Sequence, residues 1–203
     1  MSRYTGSINK KSRRLGFSIL ENDKEFSKGK KRTYAPGQHG NRRSRNSQYK
    51  LQLTEKQKIA RMFDMNDRQL MRFVKIAMKM SGSNSQNLLN ILESRIDNLV
   101  YRMGFAPTRR AARQLVTHGH VRLNGKKLSI PSYICEVGDV IAIKDVSKNL
   151  TVVNTHDATI KPIGFVTVDF ANKSGTFSRL PERSELNQNI KEAYVIEYYN
   201  RLL

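Results

Sequence analysis

The chain is 203 residues long, with a formal net charge of +20, a pI near 10.3 and a mean hydropathy of -0.60. That length suits one or two domains, and 38% hydrophobic residues are enough for a real core. Self-repulsion of this size points to a polyanionic partner. Nucleic acid fits, because each phosphate neutralised releases counterions; a membrane does not, because no long apolar run or basic amphipathic anchor appears.

Residues 1–50 hold 14 Lys or Arg against three acids, Glu21, Asp23 and Glu25, a net of +11, while the rest of the chain nets +9. Apolar residues are sparse here, so the segment gains little burial to offset its ordering entropy. A short helix is predicted near residues 9–16, in otherwise irregular backbone that orders against its partner. The start, Met1-Ser2-Arg3-Tyr4, has no apolar segment of a secretory signal, which predicts a cytoplasmic, reducing setting. The run Lys28-Gly29-Lys30-Lys31-Arg32 is followed by Arg42, Arg43 and Arg45 and interleaved with Tyr34, His39 and Tyr49, groups that stack on bases or ribose. Arg-rich segments that fold on RNA have this pattern, and it is preferred here to a free tail. In Pro36-Gly37-Gln38-His39-Gly40 two glycines around one His suggest tight backbone able to approach a phosphate, although the spacing is neither a Walker nor a dinucleotide loop.

Residues 51–92 read as helical. One helix is predicted over Gln52 to Phe63, with Thr54 as N-cap, and another over Asp67 to Met80. In the second, Leu70, Phe73, Val74, Ala77 and Met78 fit a 3.6 period, with Arg68, Arg72, Lys75 and Lys79 on another face. Ser81-Gly82-Ser83-Asn84 breaks it. A third helix is predicted from about Gln86 to Met103 as the most regular of the chain, ending at Gly104.

Thr108 reads as the N-cap of a helix reaching about Thr117. Arg109, Arg110 and Arg113 crowd its first turns, where cations oppose the macrodipole, so a phosphate backbone is expected to dock on this end. Val121-Arg122-Leu123, Asn124-Gly125 and Lys126-Lys127-Leu128 form a hairpin signal, because a type I′ turn needs positive φ at both central residues. Gly138-Asp139 turns into Val140–Ile143, expected as a compact buried strand. Beyond Asp145, Ile163 to Phe170 alternates like a strand, Gly175-Thr176-Phe177 reads as another, Pro181-Glu182-Arg183 as a turn or helix start, and Ala193 to Tyr199 as strand or helix.

Catalytic chemistry finds no support. Cys135 is the single cysteine, read as a small buried hydrophobe, and excludes a disulfide or a cysteine-cluster zinc site. His118 and His120 lack a third metal ligand nearby. No paired carboxylates, nucleophile elbow or Ser-His-Asp set can be argued, so neither an enzyme nor a cofactor is predicted.

Several stretches resemble one family, the bacterial fourth protein of the small ribosomal subunit. They are Arg3-Tyr4-Thr5-Gly6, Ala35 to Gly40, Leu51 to Lys58, Asn87-Leu88-Leu89, Glu93 to Phe105, Ala111 to His118, Val121 to Ser132, Gly138-Asp139-Val140, Gly175-Thr176-Phe177, Leu180 to Arg183 and Ile190-Lys191-Glu192. The resemblance covers nearly the whole chain. It implies an α+β fold: a basic N-terminal segment over residues 1–50, a helical domain over 51–92 completed by about 158–203, and an inserted helix-helix-hairpin RNA-binding module over 93–157. It implies a primary binder of the 5′ domain of small-subunit rRNA that nucleates subunit assembly, with Thr108, Arg109, Arg110, Arg113, Gln114, His118, His120, Arg122, Asn124 and Lys126 in the module's RNA-facing motif. Lys127 joins that basic tip. Arg3, Tyr4, Lys10, Lys11, Arg13, Arg14, Lys31, Arg32, Gln38, His39, Lys50, Lys56, Lys58, Arg61, Arg68 and Arg72 are the further rRNA candidates. Arg42, Arg43 and Arg45 match residues near the channel by which mRNA enters. The implied neighbours are the fifth and third small-subunit proteins, the fifth at an interface tied to decoding accuracy. Many relatives bind zinc through an N-terminal cysteine cluster; with no cysteine in residues 1–50, this chain resembles the cysteine-free, zinc-less variant. The same module is also an appendage of pseudouridine synthases and a tRNA synthetase, but neither flank supplies a catalytic constellation. A transient stress or assembly factor is the other alternative, and it would wash off subunits in high salt.

Overall fold

The computed structural model describes residues 4–27, 29, 32–42, 45, 47–154 and 163–202. Mixed helix and antiparallel sheet divide into two units, one built from Met1–Ser85 with Asn187–Leu203 and the other from Gln86–Leu186.

The first unit is helical among its described residues. Helix α1 spans Ile8–Leu15 and ends on Gly16 in the left-handed region. Helix α2 spans Gln48–Met62, longer at its start than the expected Gln52. Ser47, not Thr54, is the N-cap: its hydroxyl accepts from the Lys50 amide at 3.2 Å, whereas Thr54 sits inside the helix and donates back to the Lys50 carbonyl at 2.7 Å. Two residues of capping type lie seven apart, and nothing between them stops the helix from starting at the first. Helix α3, Asp67–Lys79, is capped by Asn66 and buries Leu70, Phe73, Val74 and Ala77, the stripe its periodicity predicts.

In the second unit the long helix expected from Gln86 to Met103 is two helices, α4 (Asn84–Glu93) and α5 (Ile96–Arg102). The break lies at Ser94-Arg95. Arg95 is extended, and the first amides of α5 donate to the connection 131–133: Ile96 N to the Tyr133 carbonyl at 2.9 Å and Asp97 N to that of Pro131 at 3.4 Å. Tertiary hydrogen bonds thus replace the intrahelical ones. The apolar stripe runs unbroken through the interruption, with Leu88, Leu92, Ile96, Leu99 and Met103 all fully buried. Helix α6, Arg109–Thr117, follows its expected N-cap Thr108, whose hydroxyl accepts from the Ala111 amide at 3.2 Å.

The hairpin β1 (Val121–Leu123) and β2 (Lys126–Lys127) turns at Asn124 and Gly125, both at positive φ (48° and 79°). Strand β3 (Val140–Ile143) alternates, with Val140 exposed and Ile141 and Ile143 buried, so it is half-buried where a buried strand was expected. A one-turn helix α7 (Thr151–Asn154) precedes β4 (Val166–Asp169) and β5 (Ser174–Phe177). The strands form one antiparallel sheet in the order β2-β1-β3-β5-β4, with Val121 opposite Ile143 and Ile141 opposite Gly175. So β4 and β5, placed by the sequence reading with a segment completing the helical domain, hydrogen-bond into the sheet of the second unit. That unit's core is Ile96, Leu99, Val100, Met103, Ala112, Val116, Ile141 and Ile143, closed by an edge-to-face pair, Phe165 and Phe177.

Helix α8 (Glu192–Asn200) resolves the open choice over Ala193 to Tyr199 in favour of helix. It packs on α2 and α3, burying Val195, Ile196 and Tyr199 at the spacing of a helical face. Pro181-Glu182-Arg183 starts a 3₁₀ turn (Arg183–Glu185) with a reciprocal capping box between Glu182 and Glu185.

Candidate nucleic-acid interface

Around α5, α6 and the hairpin, some basic residues are paired inward and others lie outward. Glu93, 2% exposed, accepts from Arg102 Nε at 2.9 Å and Nη2 at 2.8 Å. Asn98 donates to the same carboxylate and, through Oδ1, accepts from Arg109 Nε at 2.7 Å. The Arg109 guanidinium lies 4.6 Å from the centroid of the Tyr101 ring. On the neighbouring turn Asp97 accepts from Arg95 Nε at 3.0 Å and lies 3.6 Å from Arg113 Nη1. Two buried carboxylates therefore hold four guanidinium groups. Burial alone would raise the Glu93 pKa, but the charge and hydrogen bonds of Arg102, with help from Arg109 and Asn98, hold it below the usual carboxylate value.

This corrects one sequence inference. A fold with no use for arginines at the start of α6 was expected to place acids there, leaving phosphate as their explanation. The acids are present, on α4 and α5: Arg109 and Arg113 are nearly buried and turn toward Asn98 and Asp97. The amide of Ala111 at this end is also taken, by Thr108.

Around this network stand the outward groups. Arg110 is half-buried on α6, Gln114 is exposed on it, and His118 is exposed just past its end. Lys126 and Lys127 are exposed at the hairpin, and no ion pair engages either among the described residues. Arg122 is half-buried beside them. Asn124 is committed to the fold: its amide donates to Asp139 Oδ1 at 2.7 Å and its Oδ1 accepts from the Val140 amide at 2.9 Å, locking the tip to β3. His120 is likewise engaged, with Nδ1 2.8 Å from Ser147 Oγ.

In the first unit the candidates divide the same way. Lys56 is buried, paired with Asp67 at 3.1 Å and lying 4.9 Å over the Tyr198 ring; Lys58 pairs with Glu55 at 2.7 Å. The Tyr4 ring carries Lys11 and Arg61 cations, each 5.0 Å from its centroid, so it is not an open stacking surface. Arg13 donates to the Arg32 carbonyl at 3.2 Å, and Lys50 is half-buried. Lys10, Arg14, Arg32, Gln38, His39, Arg42, Arg45, Arg68 and Arg72 are exposed. Arg3, Lys31 and Arg43 lie outside the described residues. The Pro36 to Gly40 turn is as tight as expected: a Cβ on Gly40 would meet the Ala35 carbonyl oxygen at 1.9 Å. Lys75 and Lys79, absent from the sequence-based set, extend the Arg68 and Arg72 stripe along α3.

Sequence comparison decides the affiliation. Residues 3–93 match the family model "Ribosomal protein S4/S9 N-terminal domain", and residues 94–141 match the "S4 domain". The chain is 57% identical over 204 residues to the small ribosomal subunit protein uS4 of Ureaplasma urealyticum, covering 100% of both chains. It is 56% identical over 203 residues to that of Malacoplasma penetrans, again covering 100% of both, and 50% identical to that of Mycoplasma pneumoniae over 99% of both. The chain belongs to the uS4 family.

As a uS4 protein it is a ribosomal protein with an RNA-binding S4 domain and no enzymatic role. The description as a cysteine-free variant does not hold for the whole chain: Cys135 is present, buried in the second unit, and burial pushes its thiol up to about 12. Residues 1–50 contain no cysteine. A thiolate zinc site of the uS4 type does not fit those residues, and among the described residues no three His, Cys, Asp or Glu converge as a metal site. No helix among them is long and apolar enough to cross a membrane.

The sequence reading missed Glu93, Asp97, Asn98 and Tyr101 as the groups that hold the arginines. Their signal was available: Glu93 and Asp97 are four residues apart, within the reach of one apolar stripe, and buried acids require cationic partners.

Proposed function

We propose that this chain is a structural constituent of the small ribosomal subunit that binds the 5′ domain of small-subunit rRNA as a primary binder and nucleates assembly. The observation carrying this reading is the division of cations around α6 and the hairpin. Arg95, Arg102, Arg109 and Arg113 are compensated by buried acids, while Arg110, Arg122, Lys126 and Lys127 lie outward with Gln114 and His118. Outward cations on a rigid frame suit a phosphate backbone of fixed shape, with few base-edge contacts. Arg109 and Arg113 serve that surface chiefly by fixing its first turn, and His120 and Asn124 by fixing the hairpin.

In the first unit Lys10, Arg14, Arg32, Gln38, His39, Arg68 and Arg72 are the candidates for further rRNA contact, and Arg42, Arg43 and Arg45 for the approach of mRNA. The fifth and third small-subunit proteins are the proposed neighbours, and a contribution to decoding accuracy follows from the first of these.

The test is binding of the purified full chain to the isolated 5′ domain, with tRNA and an unrelated RNA of equal length as competitors. Binding retained under excess competitor is expected. Loss of binding to either competitor overturns the specific reading and leaves a general polyanion binder. Affinity must also fall steeply with salt; a flat dependence contradicts phosphate contact.

A further inference from the structure

The run Leu128–Ile143 is the longest stretch of this chain without a Lys or Arg, 16 residues in a protein of net charge +20, and it carries two acids, Glu136 and Asp139. It is also where exposed large apolar side chains concentrate. Ile130, Tyr133, Ile134, Val137 and Val140 fall within eleven residues and are each between 40% and 57% exposed. Single exposed apolar residues need no explanation, but a cluster marks an interaction surface.

The backbone beneath them is firmly held. The Tyr133 and Pro131 carbonyls accept the first amides of α5, the Cys135 amide donates to Ser94 at 2.8 Å, and the Gly138 amide donates to Phe177 at 2.8 Å. Cys135 and Ile141 point inward, so their neighbours Ile134 and Val140 are turned out by a fixed alternation. The apolar groups are thus presented on a rigid frame, at little ordering cost to a partner.

We propose that this surface docks a neighbouring protein of the same assembly, one that lays apolar side chains on Ile130, Tyr133, Ile134, Val137 and Val140 and sets a Lys or Arg against Glu136. This rests on the ribosomal reading above. Charge selects the occupant. RNA backbone is disfavoured, because the run offers no cation and Glu136 is exposed, with no ion pair among the described residues. A second copy of this chain would bring +20 against +20. A separate protein of lower net charge, offering apolar side chains and one Lys or Arg, satisfies both the apolar groups and the acid, with the anchors central and the charge at the rim.

The experiment places a benzophenone-bearing phenylalanine at Val137, and separately at Lys126, in the full chain. Each protein is assembled with small-subunit rRNA and the remaining small-subunit proteins, sedimented in high salt and irradiated. The probe at Val137 is expected to attach to a protein, and the probe at Lys126 to rRNA. Glu136→Lys, in the Val137 background, is expected to lower the protein product by about threefold or more, since like charges then meet across the rim. Attachment of the Val137 probe to rRNA or to a second copy, or no product although the chain sediments with subunits, overturns the docking surface alone. Failure to sediment with subunits overturns the ribosomal reading and this inference with it.

Discussion

Replacing Glu93 with Gln removes one charge and leaves the side chain nearly the same size. In the structure that charge is buried and takes two hydrogen bonds from Arg102, with Arg109 reaching it through Asn98. Removing one member of such a buried pair typically costs about 3–5 kcal/mol, because the remaining guanidinium groups lose their compensation. The second unit has about 100 residues, a size at which each kcal/mol lowers Tm by roughly 4–8 °C. Even the smaller cost therefore predicts a fall in Tm of about 12 °C or more. Scanning calorimetry of the full chain measures it. The folded-state pKa of Glu93 lies below the ordinary carboxylate value of 4.5. The stabilisation is therefore complete above that value and is lost as pH falls through the folded pKa. The gap between wild type and Glu93→Gln must stay constant from neutral pH down toward 4.5 and shrink only below it. A Tm change under about 4 °C, less than 1 kcal/mol, would refute the claim that this carboxylate holds the arginine frame together.

Asn124→Ala should lose the two hydrogen bonds to Asp139 and Val140 and the easy positive φ, costing about 1–3 kcal/mol in urea unfolding with the m-value unchanged. Lys126→Ala combined with Lys127→Ala should leave Tm unchanged and reduce the slope of log affinity against log salt by about 0.7–0.9 for each phosphate contact removed, read from filter binding at several salt concentrations. Cys135, 3% exposed and with its thiol pushed up to about 12 by burial and by the charges of Asp139 and Asp97, should fail to react with a disulfide reagent at pH 8 in the native protein and react at once in denaturant.

Features encoded by local chemistry could be read directly from the sequence. Asn124-Gly125 specifies its turn by backbone preference, Thr108 caps α6 through its own hydroxyl, and the spacing from Leu70 to Ala77 sets the buried face of α3. What the sequence hid was decided by distant partners. The interruption at Ser94-Arg95 leaves the apolar phase intact, so periodicity carries no trace of it; the carbonyls of Pro131 and Tyr133 create it. The start of α2 was a choice between two capping residues of equal chemistry. For the nucleic-acid surface, net charge located the basic regions but not the direction of each side chain. Arg109 and Arg110 are chemically identical neighbours, yet one turns to Asn98 and the Tyr101 ring while the other is half-buried at the outer side. Their place in the helical period tells them apart: Arg109 shares the buried face of α6 with Ala112, Arg113 and Val116, and Arg110 does not.

The two units differ in how the chain supplies them, which sets the order in which each becomes complete. The second is one uninterrupted stretch, whereas the first needs both Met1–Ser85 and Asn187–Leu203. A ribosome making this protein therefore releases everything the second unit requires while the first still lacks α8, the helix that covers α2 and α3. Until then, the apolar faces of α2 and α3 that α8 covers remain open to a holdase or to aggregation. Helix α8 thus acts as a latch, closing on partners made more than a hundred residues earlier. Having the second unit already folded shortens the effective span that this closure must bridge.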